Sequence, residues 1–301
     1  MKKNLIIIQG TTASGKTSLA IDLAKHFSCP IISADARQFY KEMSIGTAKP
    51  NPSELNAATH FLIDTHSIHK DFTVAQYEQE ASALLKELFT QNDHVILVGG
   101  SGLFIDALIF GLDDLPTNKD VQDRLQEALS VHGLPFLLNQ LKITDPICYD
   151  TIDKANSRRV LRALEVIELT GEKYSALKTG QRKNNDFNTF RFTIEWQRDL
   201  LYKRIEDRVD LMLQAGLLDE AKQLVPFKHL KALNTVGYSE LFDFFDGLTS
   251  YEKSVELIKQ HTRNYAKRQL TWLRRYDDLI VLDPLSETSL LDQTLNSLKK
   301  F

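Results

Sequence analysis

The residues best suited to chemistry lie near the start of the chain, in a glycine-rich segment between an apolar run and a helical sequence. The apolar run is Leu-Ile-Ile-Ile at positions 5–8. The segment after it satisfies the pattern G-x-x-x-x-G-K-[ST] with Gly10, Thr11, Thr12, Ala13, Ser14, Gly15, Lys16 and Thr17. Its glycines let successive N–H groups point at one anion, and the following helix adds the positive end of its dipole. We interpret residues 10–17 as a phosphate-binding loop, named the phosphate loop below.

Two side chains add to the backbone donors of the phosphate loop. Lys16 supplies a mobile positive charge, and the Thr17 hydroxyl is placed to ligate a Mg²⁺ ion shared with phosphate oxygens. The loop recognises two linked phosphates, and a nucleotide is one of several ways to present them. The alternative interpretation is a glycine turn that joins a strand to a helix.

A carboxylate and a hydroxyl follow two further buried strand patterns. Residues 31–34 end directly before Asp35, and residues 95–98 end before Gly-Gly-Ser-Gly at 99–102. Ligands of open parallel sheets bind at the carboxyl ends of the strands, so we expect Asp35 at the same edge as the phosphate loop. An ATPase commonly has an Asp for its Mg²⁺ after residue 98, where this chain has none. Asp35 is then the nearest carboxylate for metal binding or proton abstraction, or, alternatively, the cap of a following helix.

Alternating strand and helix patterns in the first third of the chain predict an α/β fold, a parallel sheet with helices on its faces. The strand patterns cover residues 5–8, 31–34, 61–63 and 95–98, and the helical ones 17–27, 73–90 and 102–110. Helices alone follow at 121–130, 135–141 and 155–170, and strands return at 190–196 and 279–282. We predict a core domain of residues 1–114 and 189–301, with an all-helical insertion domain at 115–188.

Composition is that of an ordinary globular protein, with 301 residues, 43% hydrophobic and 26% charged. The apolar N-terminal run is too short to span a bilayer, so we expect no membrane association. Cys29 and Cys148 have no metal-site or disulfide spacing, which indicates reduced thiols and a cytoplasmic protein. His60, His66 and His69 are irregularly spaced with no Cys nearby, so we do not interpret them as metal ligands.

Basic residues are concentrated in two places, although the formal net charge is −3. One cluster comprises Lys154, Arg158, Arg159 and Arg162, and the other Lys259, Arg263, Lys267, Arg268, Arg274 and Arg275. They predict local contact with a polyanion, or, alternatively, two solvated helix faces. On a helix, Arg263, Lys267 and Arg274 share one face. A second face, of core packing or of base contact, carries Tyr265, Gln269, Trp272 and Tyr276.

Seven motifs, spread in order over almost the whole chain, resemble those of the tRNA dimethylallyltransferases. They are the phosphate loop, SADARQFY at 33–40, IGTAKP at 45–50, VGGSGL at 98–103, RALEV at 162–166, VGY at 236–238 and KRQLTWL at 267–273. The resemblance is to bacterial-type members, since no Cys/His array follows the last strand. It implies a P-loop NTPase-like core with an insertion that contacts tRNA.

The resemblance also implies the reaction. Family members transfer the five-carbon group of dimethylallyl diphosphate to N6 of the adenosine 3′-adjacent to the tRNA anticodon, and diphosphate leaves from the phosphate loop. Asp35 matches the general base, and Ser101 stands where the family usually has a Thr that contacts the adenine. Lys16, Arg208 and Thr17 with Mg²⁺ would neutralise the departing diphosphate. The stacked adenine must flip out, into a channel that the donor enters from the other mouth.

The family's contacts to the tRNA anticodon stem-loop map onto both domains. They fall on Asp35, Ala36, Arg37, Gln38, Ser101, Gln122, Arg158, Arg159, Val160, Leu161, Arg162, Asn234, Thr235, Val236, Gly237, Tyr238, Ser239, Lys267, Arg268, Gln269, Leu270, Thr271, Trp272, Leu273 and Arg274. The chain departs from the usual pattern at three positions, with Thr11 in place of Pro, Ala36 in place of Ser and Gln122 in place of a basic residue.

Two other functions fit parts of the pattern. A P-loop small-molecule kinase would share the phosphate loop, but it needs productive ATP binding and an arginine-bearing lid. A non-catalytic RNA-binding module would use the basic clusters, but it gives no reason for the phosphate loop beside Asp35. We expect a monomer that uses tRNA, dimethylallyl diphosphate and Mg²⁺.

Overall fold

A six-stranded sheet lies at the centre of the larger of two compact units. The computed structural model describes residues 2–178 and 183–300. The core unit contains residues 1–109 and 184–301, and the helical unit contains residues 110–183. The chain thus leaves and re-enters the core unit a few residues before the bounds of the predicted insertion, 115–188.

All strand pairs in the sheet are parallel, in the order β3-β2-β4-β1-β5-β6. The strands are β1 Lys3–Gln9, β2 Ile31–Ser33, β3 His60–Phe61, β4 His94–Gly99, β5 Phe187–Ile194 and β6 Leu279–Leu282. The central strand β1 pairs with both β4 and β5, Ile6 lying opposite Ile96 on one side and Phe190 on the other. The predicted parallel sheet is confirmed, and its carboxyl-terminal edge collects the ends of β1, β2 and β4.

Helices cover the sheet and build the helical unit. They are α1 Lys16–Phe27, α2 Pro52–Ala57, α3 Val74–Gln91, α4 Gly102–Phe110, α5 Lys119–Thr144, α6 Pro146–Thr151, α7 Ser157–Thr170, α8 Tyr174–Leu177, α9 Arg198–Gln214, α10 Leu217–Leu224, α11 Tyr238–Phe245, α12 Tyr251–Leu273 and α13 Leu290–Leu298. None of these helices combines the length and the apolar character that crossing a bilayer requires.

Burial of the apolar strand residues holds α1 against the sheet. Ile6 and Ile8 of β1 are fully buried and pack in one cluster with Leu19 and Leu23 of α1. Each such side chain contributes about 1.5–3 kcal/mol of transfer free energy when it leaves water. The phosphate loop connects these two packed elements, so its ends are fixed by the core.

Backbone conformation explains where the strands depart from prediction. The predicted strand 61–63 ends at Phe61, because Leu62 and Asp64 have φ values of 58° and 56°. This left-handed conformation is incompatible with an extended strand. The strand predicted at 190–196 spans Phe187–Ile194.

The helical unit follows the predicted pattern of breaks. Gly133, with φ 76° and ψ 171°, interrupts α5 two residues before Pro135. This break separates the predicted helical segments 121–130 and 135–141. The Asn156 side chain accepts from the Arg159 N–H at the start of α7, and Gly171 ends that helix with φ 72°. Helices α6 and α8 were not predicted. Residues 179–182 of the predicted insertion lie outside the described residues.

The close approach of β2 and β4 yields a stability prediction at Gly99. A Cβ at Gly99 would lie 2.2 Å from the Ala34 carbonyl oxygen, whereas a Cβ at Gly247 would meet nothing within 4 Å. Gly99→Ala must push two paired backbones apart, and we expect a loss of about 2–3 kcal/mol in the free energy of unfolding. Gly247→Ala, at φ 74°, should lose about 1 kcal/mol. Urea unfolding measures both, and equal losses would contradict the packing argument.

Candidate active site

The phosphate loop is held from its outer side by two side chains that follow β5. The Trp196 indole N–H donates to the Ser14 carbonyl, and the Arg204 Nε–H donates to the Ala13 carbonyl, both at 2.9 Å. The Arg204 guanidinium also stacks on the Trp196 ring, 4.2 Å from its centroid. In a trans peptide the N–H points opposite to its carbonyl, so the N–H groups of Ser14 and Gly15 face away from the Arg204 and Trp196 side chains. Gly15, with φ 98°, then starts α1.

Two cations lie close together in the site. Lys16 Nζ donates to the Thr11 carbonyl, and Arg208 Nη1 donates to the Thr12 hydroxyl at 3.1 Å. Burial and the positive charge of Arg208 lower the pKa of Lys16 to about 7, against the opposing effect of Asp35. Burial likewise lowers the pKa of Arg208, and Asp35 opposes that shift. A bound anion would relieve both the desolvation and the repulsion of these cations.

Asp35 follows β2 and lines the same cavity as Lys16 and Thr17. Its Oδ1 accepts from the Arg37 N–H at 2.9 Å, which closes a tight turn. The next helix, α2, begins only at Pro52. The alternative prediction that Asp35 caps a helix is therefore wrong, and the carboxylate belongs to the cavity.

Ser101 stands beside Asp35 because β2 and β4 are neighbours. The Ser101 hydroxyl accepts from the Ala36 N–H at 2.9 Å, and it is also hydrogen-bonded to the Tyr265 hydroxyl of α12. Burial, reinforced by the charge of Asp35, raises the pKa of Tyr265 and keeps its phenol protonated. Asp35 and Tyr265 both line the cavity, whereas Ser101 is not among the lining residues and reaches it through these hydrogen bonds to the Ala36 N–H and to Tyr265.

The opposite wall of the cavity comes from the segment 47–50, within the IGTAKP motif. Gln38 Nε2 donates to the carbonyls of Thr47 and Ala48, at 3.3 and 3.1 Å. The Glu220 carboxylate accepts from three successive N–H groups at 44–46 and from the Tyr238 hydroxyl at 2.6 Å. Sequence reasoning missed Glu220 as the anchor of this wall. The full lining is Thr12, Lys16, Thr17, Ser33, Asp35, Gln38, Thr47, Ala48, Pro50, His60, Ile63, Val98, Gly99, Gly100, Arg208, Tyr265 and Gln269.

The two faces predicted for helix α12 differ in exposure. Lys267, Arg268 and Arg274 are exposed, while Arg263 is half-buried and its Nη1 lies 2.5 Å from Glu206 Oε1. On the other face, Tyr265 and Gln269 line the cavity. Trp272 Nε1 and the Tyr276 hydroxyl both donate to the Asp106 carboxylate, at 3.2 and 2.5 Å. On that face, Tyr265 and Gln269 thus contribute to the cavity wall, and Trp272 and Tyr276 pack against α4 through Asp106.

The predicted tRNA contacts fall into exposed, half-buried and buried groups, and they stay predictions. The exposed ones are Asn234, Lys267, Arg268, Thr271 and Arg274 in the core unit, and Gln122, Arg158 and Arg159 in the helical unit. The buried ones are Val160, Gly237, Tyr238, Gln269 and Leu273. Within the helical unit, Gln122 Nε2 and Arg162 Nη1 both donate to the Glu165 carboxylate, at 2.8 and 2.7 Å.

The donor set of the cavity fits a magnesium ion that is shared with a phosphorylated ligand. The described residues contain no group of three or more His, Cys, Asp or Glu side chains arranged to hold a metal. Mg²⁺ does not require one, since it retains several waters and takes one or two protein oxygens together with phosphate oxygens. The Thr17 hydroxyl and the Asp35 carboxylate line the cavity where such an ion would be held.

Comparison with known sequences identifies relatives over nearly the whole chain. Residues 38–276 match the IPP transferase family. The tRNA dimethylallyltransferase of Christiangramia forsetii is 46% identical over 276 residues, 91% of this chain and 91% of that protein. The tRNA dimethylallyltransferase of Flavobacterium psychrophilum is 42% identical, over 98% of this chain and 99% of its own length.

Solved structures share the fold. The full-length tRNA isopentenylpyrophosphate transferase from Bacillus halodurans is 34% identical with a TM-score of 0.72, covering 100% of this chain and 95% of that one. A eukaryotic dimethylallyltransferase captured acting on tRNA gives a TM-score of 0.82 at 26% identity, over 99% of this chain and 79% of its own. The predicted P-loop NTPase-like α/β core is confirmed.

The lowered pKa of Lys16 predicts how diphosphate binding depends on pH. A bound anion favours the protonated amine, so its pKa in the complex lies above the value of about 7 in the free protein. Binding then takes up a proton between these two values, and affinity falls by up to about tenfold per pH unit above about pH 7.

Isothermal titration with inorganic diphosphate from about pH 6 to about pH 9 measures this effect. Lys16→Gln is the matched control, because its affinity reports only the titration of the ligand and of the other groups. The affinity advantage of the wild-type protein over this variant should shrink as the pH rises. A constant advantage would show that Lys16 is already fully charged in the free protein.

Proposed function

Because the chain belongs to the tRNA dimethylallyltransferase family, we propose that it transfers a dimethylallyl group from dimethylallyl diphosphate to N6 of the adenosine 3′-adjacent to the anticodon in tRNA. The observation that carries this proposal is one cavity that holds the cationic phosphate loop and the Asp35 carboxylate. A group-transfer reaction in which diphosphate leaves and an amine loses a proton needs both. The P-loop kinase alternative makes no use of the Tyr265 hydroxyl, which lines the cavity together with Asp35.

Each group in the cavity has a place in the proposed reaction. The adenine N6 attacks the first carbon of the donor, the bond from that carbon to the bridging oxygen breaks, and diphosphate departs with the electron pair. Asp35 accepts the proton that N6 loses. Lys16, Arg208 and the phosphate-loop N–H groups stabilise the negative charge that grows on the diphosphate. Because Lys16 and Arg208 are half-buried, bulk water screens their charges less than it would at an exposed site.

Magnesium would reinforce this neutralisation. We propose that the Thr17 hydroxyl and the diphosphate oxygens would hold the ion, and that the Asp35 carboxylate, which lines the same cavity, would contribute to its binding. Mg²⁺ would supply positive charge at the leaving group.

The acceptor base must leave its stack to reach the cavity. N6 of a stacked adenine cannot approach a buried diphosphate, so we propose that the nucleotide flips out of the anticodon loop. The Ser101 hydroxyl, which accepts from the Ala36 N–H, would orient the adenine, as the resemblance implies. We propose that the protein acts on tRNA as a monomer, in the cytoplasm.

Mass spectrometry of an unmodified tRNA incubated with the protein, Mg²⁺ and dimethylallyl diphosphate tests the proposed function. The expected result is the gain of one dimethylallyl group on the adenosine next to the anticodon. Formation of ADP from added ATP, with no change in the RNA, would favour the kinase. RNA binding without any product would favour a binding module.

Replacement of the general base should separate catalysis from binding. Asp35→Asn keeps the size of the side chain but cannot accept the N6 proton, so we expect the single-turnover rate to fall about 10²–10⁴-fold. The affinity for an anticodon stem-loop should be unchanged. Asp22→Asn, on the exposed face of α1, is the matched control and should behave as wild type. Normal turnover by Asp35→Asn would assign the base elsewhere.

The exposed basic face of α12 predicts the salt dependence of RNA binding. Lys267→Ala and Arg274→Ala should each weaken stem-loop binding and reduce the slope of log affinity against log salt by about one. Lys86→Ala, exposed on α3, is the control and should leave the slope unchanged. Filter binding at several salt concentrations measures the slopes. Equal slopes for all four proteins would show that this face is merely solvated.

A further inference from the structure

The side-chain amide of Gln269 is bonded at both ends to segments that are distant in sequence. Its Oε1 accepts from the Thr12 N–H at 2.9 Å, and its Nε2 donates to the Gly100 carbonyl at 3.0 Å. Since an N–H must meet the oxygen and a carbonyl must meet the nitrogen, these partners fix the orientation of the amide. Gln269 thereby joins the phosphate loop, the turn after β4 and helix α12.

Packing leaves this amide little freedom. Gln269 is 7% exposed, which is low for a residue of its type. A Cβ on Gly100 would lie 2.2 Å from Gln269 Nε2, so the amide occupies the space that a side chain would fill. Packing against Gly100 therefore fixes the position of the amide nitrogen. The amide oxygen, held in place with it, accepts from the Thr12 N–H.

Thr12 passes this restraint to a catalytic cation. Its N–H is used by Gln269 and is not directed at a phosphate, while its hydroxyl accepts from Arg208 Nη1 at 3.1 Å. Arg208 lies near enough to Lys16 for its charge to lower the pKa of that amine, so the two cations repel each other. The charges of Asp35 and Glu54 attract Arg208, and the hydrogen bond to the Thr12 hydroxyl fixes the direction of its guanidinium.

We propose that Gln269 is a positioning residue for the transfer step. It fixes Thr12, and the Thr12 hydroxyl then holds Arg208 where the leaving diphosphate develops its charge. This inference rests on the proposed function, and it assigns Gln269 a role other than the RNA contact that the sequence resemblance implies. Both polar atoms of the amide are already used inside the protein.

Gln269→Leu tests the role, with Gln260→Leu as the matched control on the exposed face of the same helix. We expect Gln269→Leu to lower the single-turnover rate at saturating donor and tRNA by about 30- to 100-fold, the cost of misplacing a catalytic group by about 1 Å. Stem-loop affinity should stay near that of the control, while the melting temperature should fall because the Thr12 N–H and the Gly100 carbonyl lose their partner. A wild-type rate, or a loss that appears only as weaker RNA binding, would overturn the inference.

A double-mutant cycle with Arg208→Gln distinguishes positioning from general damage to the fold. If Gln269 acts through Arg208, Gln269→Leu should lower the rate by less than about threefold once Arg208 is replaced. If the two substitutions acted independently, their rate losses would multiply. The full loss of about 30- to 100-fold from Gln269→Leu in the Arg208→Gln protein would therefore refute the inference. No product with the wild-type protein would instead refute the proposed function, so the two failures are distinguishable.

Thr12 variants give a second test should Gln269→Leu not fold. Thr12→Val keeps the N–H that Gln269 accepts but removes the hydroxyl that accepts from Arg208, so it should reproduce most of the rate loss. Thr12→Ser retains both groups and should restore activity to near the wild-type level. Equal rates for the two variants would show that the Thr12 hydroxyl does not position Arg208.

Discussion

Two half-buried cations in one cavity are the constraint around which this site is built. Desolvation lowers the pKa of both Lys16 and Arg208. The charge of Arg208 lowers the pKa of Lys16 further, and the charge of Arg204 lowers that of Arg208. Buried like charges persist when partners compensate them. The Asp35 carboxylate and the Thr11 and Thr12 oxygens supply part of that compensation. A bound diphosphate would offset the remaining electrostatic cost of the two cations. The free protein therefore has a site that favours an anion.

The fold meets this constraint by bringing several strand ends to one edge. The parallel order places β1 next to β4 and β4 next to β2, so the phosphate loop, Ser101 and Asp35 follow adjacent strands. Helix α9 brings Arg208 to the loop, and helix α12 closes the cavity with Tyr265 and Gln269. The groups that would bind the prenyl donor and those that would face the acceptor base therefore share one cavity, although they are far apart in the sequence. Transfer of a carbon group, with no movement of a phosphoryl group, explains why a phosphate loop stands beside hydroxyls and a single carboxylate.

Features that depend on one element were predictable from the sequence, and features that depend on tertiary packing were not. The phosphate loop and the position of Asp35 after a strand follow from local pattern, as does the break of α5 at Gly133. The bond between Gln269 and Thr12 joins residues 257 positions apart, and no periodicity in either segment indicates it. Leu62 takes a left-handed conformation that its residue type does not favour, so the early end of β3 had no sequence signal. The resemblance to a known family supplied the reaction, which the residues alone left open between transferase, kinase and binding module.

The most direct test of the account asks which bond of the donor breaks. Dimethylallyl diphosphate would carry a heavy oxygen isotope at the oxygen that joins its first carbon to phosphorus. It would be incubated with the protein, Mg²⁺ and unmodified tRNA. If the phosphate loop holds a leaving diphosphate, the heavy oxygen will appear in the released diphosphate, because the carbon–oxygen bond is broken. Recovery of the heavy oxygen in dimethylallyl alcohol would mean that a phosphorus–oxygen bond had been cleaved, and it would contradict the account.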